Sequence, residues 1–365
     1  MDTSARGISF DEHGVCNFCA EFLARFDQMS HQTPGLNKAK LESFIAKVKD
    51  AGKRKPYDCI VGVSGGVDSS WVLVRAVKLG LRPLAVHMDN GWDSELAQNN
   101  IANLVQGLGV DLYTHVIDWD EYRSLMQAFF EADIIDIELL YDNAMLAVNY
   151  QQAAKHCVSY IVSGTNQATE GMETPKEWNW FKYDKVNIMA LASCFGTIKL
   201  NSFPAIGTMD FIWYRYIRRI KWVSILDLMD YNKYEAVAEL QRSHGFKPYL
   251  YKHSESVFTR FYQGYILPEK FGVDKRRLHL GTLVASGQLT RVDALKYLEE
   301  TPYSSPEALQ EDRQYFMKKM KWSESQLVEY LARPEKSHGL YGSEIKLWNA
   351  LSFIHKLGKL CTPRK

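Results

Sequence analysis

The stretch from residue 57 to residue 79 limits the fold more than any other part of the chain. Tyr57-Asp58-Cys59-Ile60-Val61-Gly62-Val63 reads as a buried strand, and Ser64-Gly65-Gly66-Val67-Asp68-Ser69-Ser70 follows it directly, opening a helical pattern over residues 70–79. Paired glycines let backbone N–H groups close on an anion, and the helix behind them adds the partial positive charge of its N-terminus. Ser64 and Ser69 add hydroxyl donors, so Ser64, Gly65, Gly66, Asp68, Ser69 and Ser70 are the candidate nucleotide-binding residues of this turn. Asp68 is out of place beside an anion unless a cation bridges the two, and it is assigned to Mg2+ or to loop geometry. No Lys closes the loop, so the GxxxxGK[ST] pattern of kinases and GTPases does not apply.

Three further strands follow, at 83–87, 112–117 and 158–162, separated by helical stretches such as 96–108. Strands alternating with helices make a parallel α/β sheet covered on both faces, with ligands beyond the carboxyl ends of the strands. Past about residue 205 strand signals fade, and residues 233–244, 255–267, 275–286, 291–300, 305–320, 323–332 and 343–359 read as helices. The expected organisation is a Cys-containing segment at 1–35, a linker helix at 36–56, a nucleotide domain at 57–205 and a mostly helical substrate or partner domain at 206–365.

Apolar residues at 46% and charged residues at 24% exclude a largely disordered chain. No apolar run approaches the roughly 18 residues that span a bilayer. The opening has neither a basic nor an apolar leader region, so a cytoplasmic protein with reduced cysteines is expected and no membrane partner. The net charge of +1 divides into +8 for residues 201–365 and −7 for the rest. That asymmetry suits a polyanionic ligand such as a nucleotide, a sugar nucleotide or RNA.

The SGGVDSS loop resembles the PP-loop, SGGxDS, of the ATP pyrophosphatases, which include GMP synthetase, asparagine synthetase, NAD synthetase and the tRNA thiolases. The resemblance implies ATP cleavage between the α- and β-phosphates, with AMP placed on a substrate oxygen and then displaced by nitrogen or sulfur. It also implies that His87, Met88 and Asn90, after the second strand, hold adenosine, and that Ser163, Gly164 and Thr165, after the fourth, face the same crevice.

Further segments occur in a matching order. They are Phe10-Asp11-Glu12-His13-Gly14-Val15-Cys16-Asn17-Phe18-Cys19, Ser163 through Gly171, Glu255 through Gln263, Leu267 through Arg277 and Ser286 through Arg291. Together they resemble the N-acetyl sugar amidotransferases of bacterial surface-polysaccharide (O-antigen) biosynthesis. The resemblance implies the adenine-nucleotide α-hydrolase fold with ATP and Mg2+. The implied reaction turns an acetamido group on a nucleotide-linked N-acetyl sugar into an acetamidino group. Ammonia is implied to come from a separate glutaminase and a barrel-shaped partner resembling the histidine-biosynthesis pair. Basic residues are wanted near the phosphates, so Lys182, Lys275 and Arg277 join Asp68 as catalytic candidates. Glu170, Trp178, Asp184, Glu255, Arg260 and Arg276 are expected to bind substrate. No glutaminase signature is visible around the six cysteines. A tRNA-modifying PP-loop enzyme is the alternative, but a net charge of +1 disfavours a nucleic-acid partner.

Cys16 and Cys19 have the spacing of two zinc ligands, where a structural site needs four. The resembling family carries another CxxC just upstream of the segment that begins here as Met1-Asp2-Thr3. Either the stated start lies downstream of a true one or the site has been lost; His13 is a candidate third ligand.

Overall fold

The computed structural model describes residues 1–26, 34–249 and 255–361. Five parallel strands, β1 (Cys59–Gly62), β2 (Pro83–Asp89), β3 (Asp111–Val116), β4 (Tyr160–Ser163) and β5 (Lys221–Ser224), form one sheet in the order β3-β2-β1-β4-β5. The chain runs outward from β1 to β3 and then returns to the other side of β1. The β1/β4 junction is therefore the point where the winding reverses, the place where open α/β sheets bind ligands beyond their carboxyl ends. In register, Val61 pairs with Ala85 on one side and with Val162 on the other.

Alternation along the strands sends side chains to two cores. Ile60, Leu84, Val86, Met88 and Ile161 enter one; Cys59, Val61, Ala85, Tyr160 and Val162 enter the other. The helices are, in chain order, α1 (Asn17–Phe26), α2 (Pro34–Gly52), α3 (Val67–Lys78), α4 (Glu95–Leu108), α5 (Trp119–Glu131), α6 (Leu139–Lys155), α7 (Gln167–Glu170), α8 (Lys185–Phe195), α9 (Thr208–Ile212), α10 (Lys233–His244), α11 (Val257–Phe261), α12 (Leu267–Phe271), α13 (Arg276–Ala285), α14 (Arg291–Glu299), α15 (Pro306–Met320), α16 (Glu324–Ala332) and α17 (Ile345–Cys361). Residues of α2, α3, α4 and α10 cover the second core; α5, α6 and α8 cover the first.

Among the described residues, the helical C-terminal region shows no separate core. Phe258, Phe261, Tyr262, Phe316 and Tyr330 join the first core with Phe129 and Phe130 of α5, while Ile225, Leu226, Tyr231 and Leu240 join the second. Residues 225–249 thus contribute to one face of the sheet, and α11, α12, α13, α15 and α16 contribute to the other.

β5 departs from the expectation that strands end near residue 205. It has four residues, Lys-Trp-Val-Ser, on the sheet edge with none fully buried, so neither alternation nor an apolar run marks it. The first residues do not stand apart either. Phe18 and Phe22 of α1 enter the first core, and α1 packs against α13. No helix among the described residues is long and apolar enough to cross a membrane.

Candidate active site

The phosphate loop occupies the winding reversal. Val63 N–H still donates to Val86 O at 2.9 Å, after which the chain turns through Ser64 to Gly66 into α3. Gly65 adopts a φ of 81°, and a Cβ there would stand 2.8 Å from Ala97 O of α4. Both facts require glycine. The two hydroxyls brace the turn: Ser69 Oγ accepts from Ser64 N–H at 3.2 Å, and Ser64 Oγ accepts from Gly66 N–H at 3.3 Å. α3 starts on Gly66 with no side-chain cap, whereas Ser94, Asp118, Asn166 and Asp184 cap α4, α5, α7 and α8. Its first N–H groups lack an intrahelical acceptor. Ser70 is buried and serves the loop through its backbone, donating to Gly66 O at 3.1 Å.

The loop after β4 presses on this turn. A Cβ on Gly164 would stand 2.8 Å from Ser69 N and 2.9 Å from Asp68 C, so only glycine fits between the two loops. Ser163 Oγ and Thr165 Oγ1 are 3.0 Å apart, and Thr165 Oγ1 reaches Ser224 Oγ of β5 at 2.9 Å. The expected loop residues of β1 and β4 are thereby brought together.

Three residues bind this loop from outside it. Tyr231 OH donates to Asp68 Oδ1, and Thr169 Oγ1 donates to Oδ2 at 3.4 Å. Tyr249 OH donates to Gly65 O at 3.0 Å. Sequence reasoning missed both tyrosines; each is a single aromatic flanking α10, with no motif around it. Glu255 comes from the C-terminal region. Its backbone carbonyl accepts from Ser94 N–H at 2.8 Å, and its Oε1 lies 3.1 Å from where a Cβ on Gly66 would be. Carboxylates from Asp68 and Glu255 therefore adjoin the same turn.

The residues after β2 turn inward. His87 Nδ1 faces Val63 O and Nε2 faces Asp93 Oδ2, both at 2.9 Å. Burial lowers the pKa of this imidazole, but the hydrogen bond and charge of Asp93, with Val63 O and Asp89, outweigh it and hold the group above its usual value. Met88 is a core side chain, and Asn90 is buried, donating to Tyr122 OH at 3.2 Å and accepting from Trp92 N–H at 3.1 Å.

A second polar cluster surrounds the start of α6. Lys182 Nζ lies 2.7 Å from Asp136 Oδ2 and 2.8 Å from Asp142 Oδ2; Lys275 Nζ lies 2.5 Å from Glu138 Oε2. Burial alone would raise the Asp136 pKa, yet the charges of Lys182 and Lys275 bring it below the usual value. Lys182 is depressed by burial but raised overall by Asp136 and Asp142, so it is a fixed cation. Tyr141 feels the charges of Asp93, Glu255 and Asp142, which connects this cluster to the phosphate-loop side.

The other expected site residues, the catalytic candidate Arg277 among them, have structural partners. Arg260 grips Asp312 with two bonds of 2.6 Å, and Arg276 binds Asp274 and the carbonyls of Tyr297 and Glu300. Arg277 pairs with Asp2. Trp178 is fully within the first core. Asp184 caps α8, accepting from Asn187 N–H at 3.1 Å, Trp180 Nε1 at 2.8 Å and Ser343 Oγ at 2.5 Å. Glu170 ends α7, beside the phosphate loop, where its charge reaches Tyr231.

The CxxC pair is partly buried. Cys16 is buried, its Sγ accepts from Cys19 N–H at 3.4 Å, and burial followed by Cys16 pushes the Cys19 thiol up to about 11. His13 is exposed beside Glu12. Among the described residues no group of three or more His, Cys, Asp or Glu is placed to hold a metal ion, so the expected zinc site finds no support. Magnesium asks for less, because one or two carboxylates suffice when phosphate oxygens complete its shell. The loop's glycine cradle with Asp68 and Glu255 at its sides fits a magnesium nucleotide.

Comparison with known proteins gives two family matches. Residues 255–355 match the family described as "LPS biosynthesis protein WbpG-like, C-terminal domain", and residues 38–173 match NAD synthase. No curated protein matches the chain. Similar solved structures include an NH3-dependent NAD synthetase from Campylobacter jejuni at 16% identity, covering 43% of this chain and 72% of that one, with a TM-score of 0.29. An NMN synthetase from Francisella tularensis is similar at 16% identity over 60% and 98%, with a TM-score of 0.30. The chain thus carries an NAD-synthase-like region and a WbpG-like lipopolysaccharide-biosynthesis region in one molecule.

Proposed function

We propose that the chain converts the acetamido group of a nucleotide-linked N-acetyl sugar into an acetamidino group, using ATP and ammonia and releasing AMP and pyrophosphate. One observation carries this reading. Glu255, the first residue of the WbpG-like region, reaches the glycine cradle of the phosphate loop, so the polysaccharide-specific part of the chain adjoins the nucleotide part.

An amide carbonyl is a poor electrophile and its oxygen a poor leaving group. Attack of that oxygen on the α-phosphorus forms an O–P bond and breaks the bond to the bridging oxygen, releasing pyrophosphate. Ammonia then attacks the imidate carbon, the C–O bond breaks, and AMP departs. The protein's part is positioning and charge neutralisation. The loop N–H groups and the Ser64 and Ser69 hydroxyls receive the phosphates. Asp68 and Glu255 would hold Mg2+, which neutralises phosphate charge when bound. Lys182 and Lys275 provide fixed positive charge beside α6, each anchored by carboxylates that set its direction. Arg276 braces the start of α13 through Asp274, Arg277 pairs with Asp2, and Arg260 holds Asp312, so these three serve the fold around the site. Ammonia arrives from a separate glutaminase through its barrel-shaped partner.

The test is pyrophosphate release from ATP with ammonium and a panel of nucleotide-linked di-N-acetyl sugars. AMP and pyrophosphate in equal amounts, dependent on one sugar, are expected. Release that ignores every sugar would remove the substrate assignment.

A further inference from the structure

The loop that would receive the nucleotide is held by residues far from it in sequence. Tyr231 is buried in the second core and donates its hydroxyl to Asp68. Its backbone carbonyl accepts from Gln288 Nε2 at 3.1 Å, while Gln288 Oε1 accepts from Lys233 N–H at 2.9 Å. One side chain from the turn between α13 and α14 thus fixes the backbone on both sides of Asn232. Tyr249 is anchored in the same manner: Asn100 Nδ2 donates to its hydroxyl at 3.2 Å, and the Asn100 amide also binds Lys247 N–H and O, each at 2.9 Å.

Each tyrosine sets a different part of the loop. The Gly65 carbonyl and the Gly66 N–H belong to one planar peptide and point in opposite directions. Holding the carbonyl on Tyr249 therefore aims the N–H into the turn, where it meets Ser64 Oγ. Tyr231 and Thr169 hold the two oxygens of Asp68, which fixes the first turn of α3. Burial raises both phenols well above their usual values, so each remains a donor at neutral pH.

We propose that Tyr231 and Tyr249 are positioning residues that preset the phosphate loop for nucleotide, and that Gln288 ties this setting to the C-terminal region. The inference rests on the nucleotide-binding part of the function proposed above.

The experiment is calorimetric titration of the full chain with an ATP analogue carrying a methylene bridge between its α- and β-phosphorus atoms, in excess Mg2+. Tyr231→Phe should weaken binding about tenfold and Tyr249→Phe about threefold, in line with hydrogen bonds to a charged and a neutral acceptor. Gln288→Ala, whose side chain lies outside the core, should weaken binding about threefold and add nothing to Tyr231→Phe. The decisive comparison is with Asp68→Asn. If Tyr231 acts through Asp68, Tyr231→Phe should lose most of its effect in that background. Unchanged affinity in Tyr231→Phe and Gln288→Ala, or an undiminished loss beside Asp68→Asn, would overturn the proposal while leaving nucleotide binding intact. A wild-type chain that does not bind the analogue would instead remove the nucleotide reading itself, and this inference with it.

Discussion

His87 has an oxygen acceptor at each ring nitrogen, Val63 O and Asp93 Oδ2, and only the imidazolium can donate to both. Its folded pKa accordingly lies above the ordinary 6.5. A raised histidine contributes fully below its unfolded value, and the contribution fades as pH climbs through the folded one. Melting temperatures of wild type and His87→Gln should therefore differ most at or below pH 6.5 and converge at higher pH. A gap that widens with pH would refute the imidazolium. Gly164 supplies a second test at this scale. Its missing Cβ leaves room for the Ser69 and Asp68 backbone, which cannot retreat as a flexible side chain would. Gly164→Ala should cost about 1–3 kcal/mol of stability and abolish nucleotide binding, measured by urea unfolding and titration. The serines and glycines of the loop were legible in the sequence because their chemistry is local. The inward direction of Met88 was not legible in the sequence, which ends the second strand at His87 and by resemblance assigns Met88 to adenosine; the strand runs on to Asp89, and Met88 shares parity with Leu84 and Val86. The roles of Tyr231 and Tyr249 were not legible either, because they depend on a segment that folds back from beyond β5.

Elements separate charges that neutralise ligand from charges that hold helices. Arg260 of α11 makes a two-bond grip on Asp312 of α15, which is nearly buried and also receives Tyr303 OH at 3.1 Å. Removing the guanidinium strands that carboxylate. Arg260→Ala should destabilise the fold by about 3 kcal/mol in denaturant unfolding, with kcat changed less than threefold once the protein is folded. Lys275 differs, because it opens α13 beside the Glu138, Asp136 and Lys182 cluster near the loop side of α6. Lys275→Ala should lower kcat by about 10²–10³ if its charge is felt in the transition state. A rise in KM alone would restrict it to ground-state binding. The C-terminal helices were readable from their period and caps, whereas β5, a four-residue edge strand, carries no such signal.

At the scale of the molecule, the sheet places the loops of β1 and β4 at the winding reversal, and residues 225–249 and the WbpG-like region meet there from opposite cores. The proposed transfer between a nucleotide and a sugar would draw on both regions meeting at this point. Alternating strands and helices announced the sheet; the sharing of its cores by the C-terminal helices depends on long-range packing and was not legible. Because no glutaminase signature surrounds the cysteines, free ammonium should support turnover by the isolated chain and glutamine alone should not. The most direct measurement follows one reaction containing ATP, ammonium and a nucleotide-linked N-acetyl sugar, with AMP, pyrophosphate and the mass of the sugar read together. The account predicts AMP, pyrophosphate and amidinated sugar in a ratio of one to one to one, with the sugar lighter by the exchange of an oxygen for NH. Production of ADP and phosphate, or AMP formed with no change in the sugar, would contradict it.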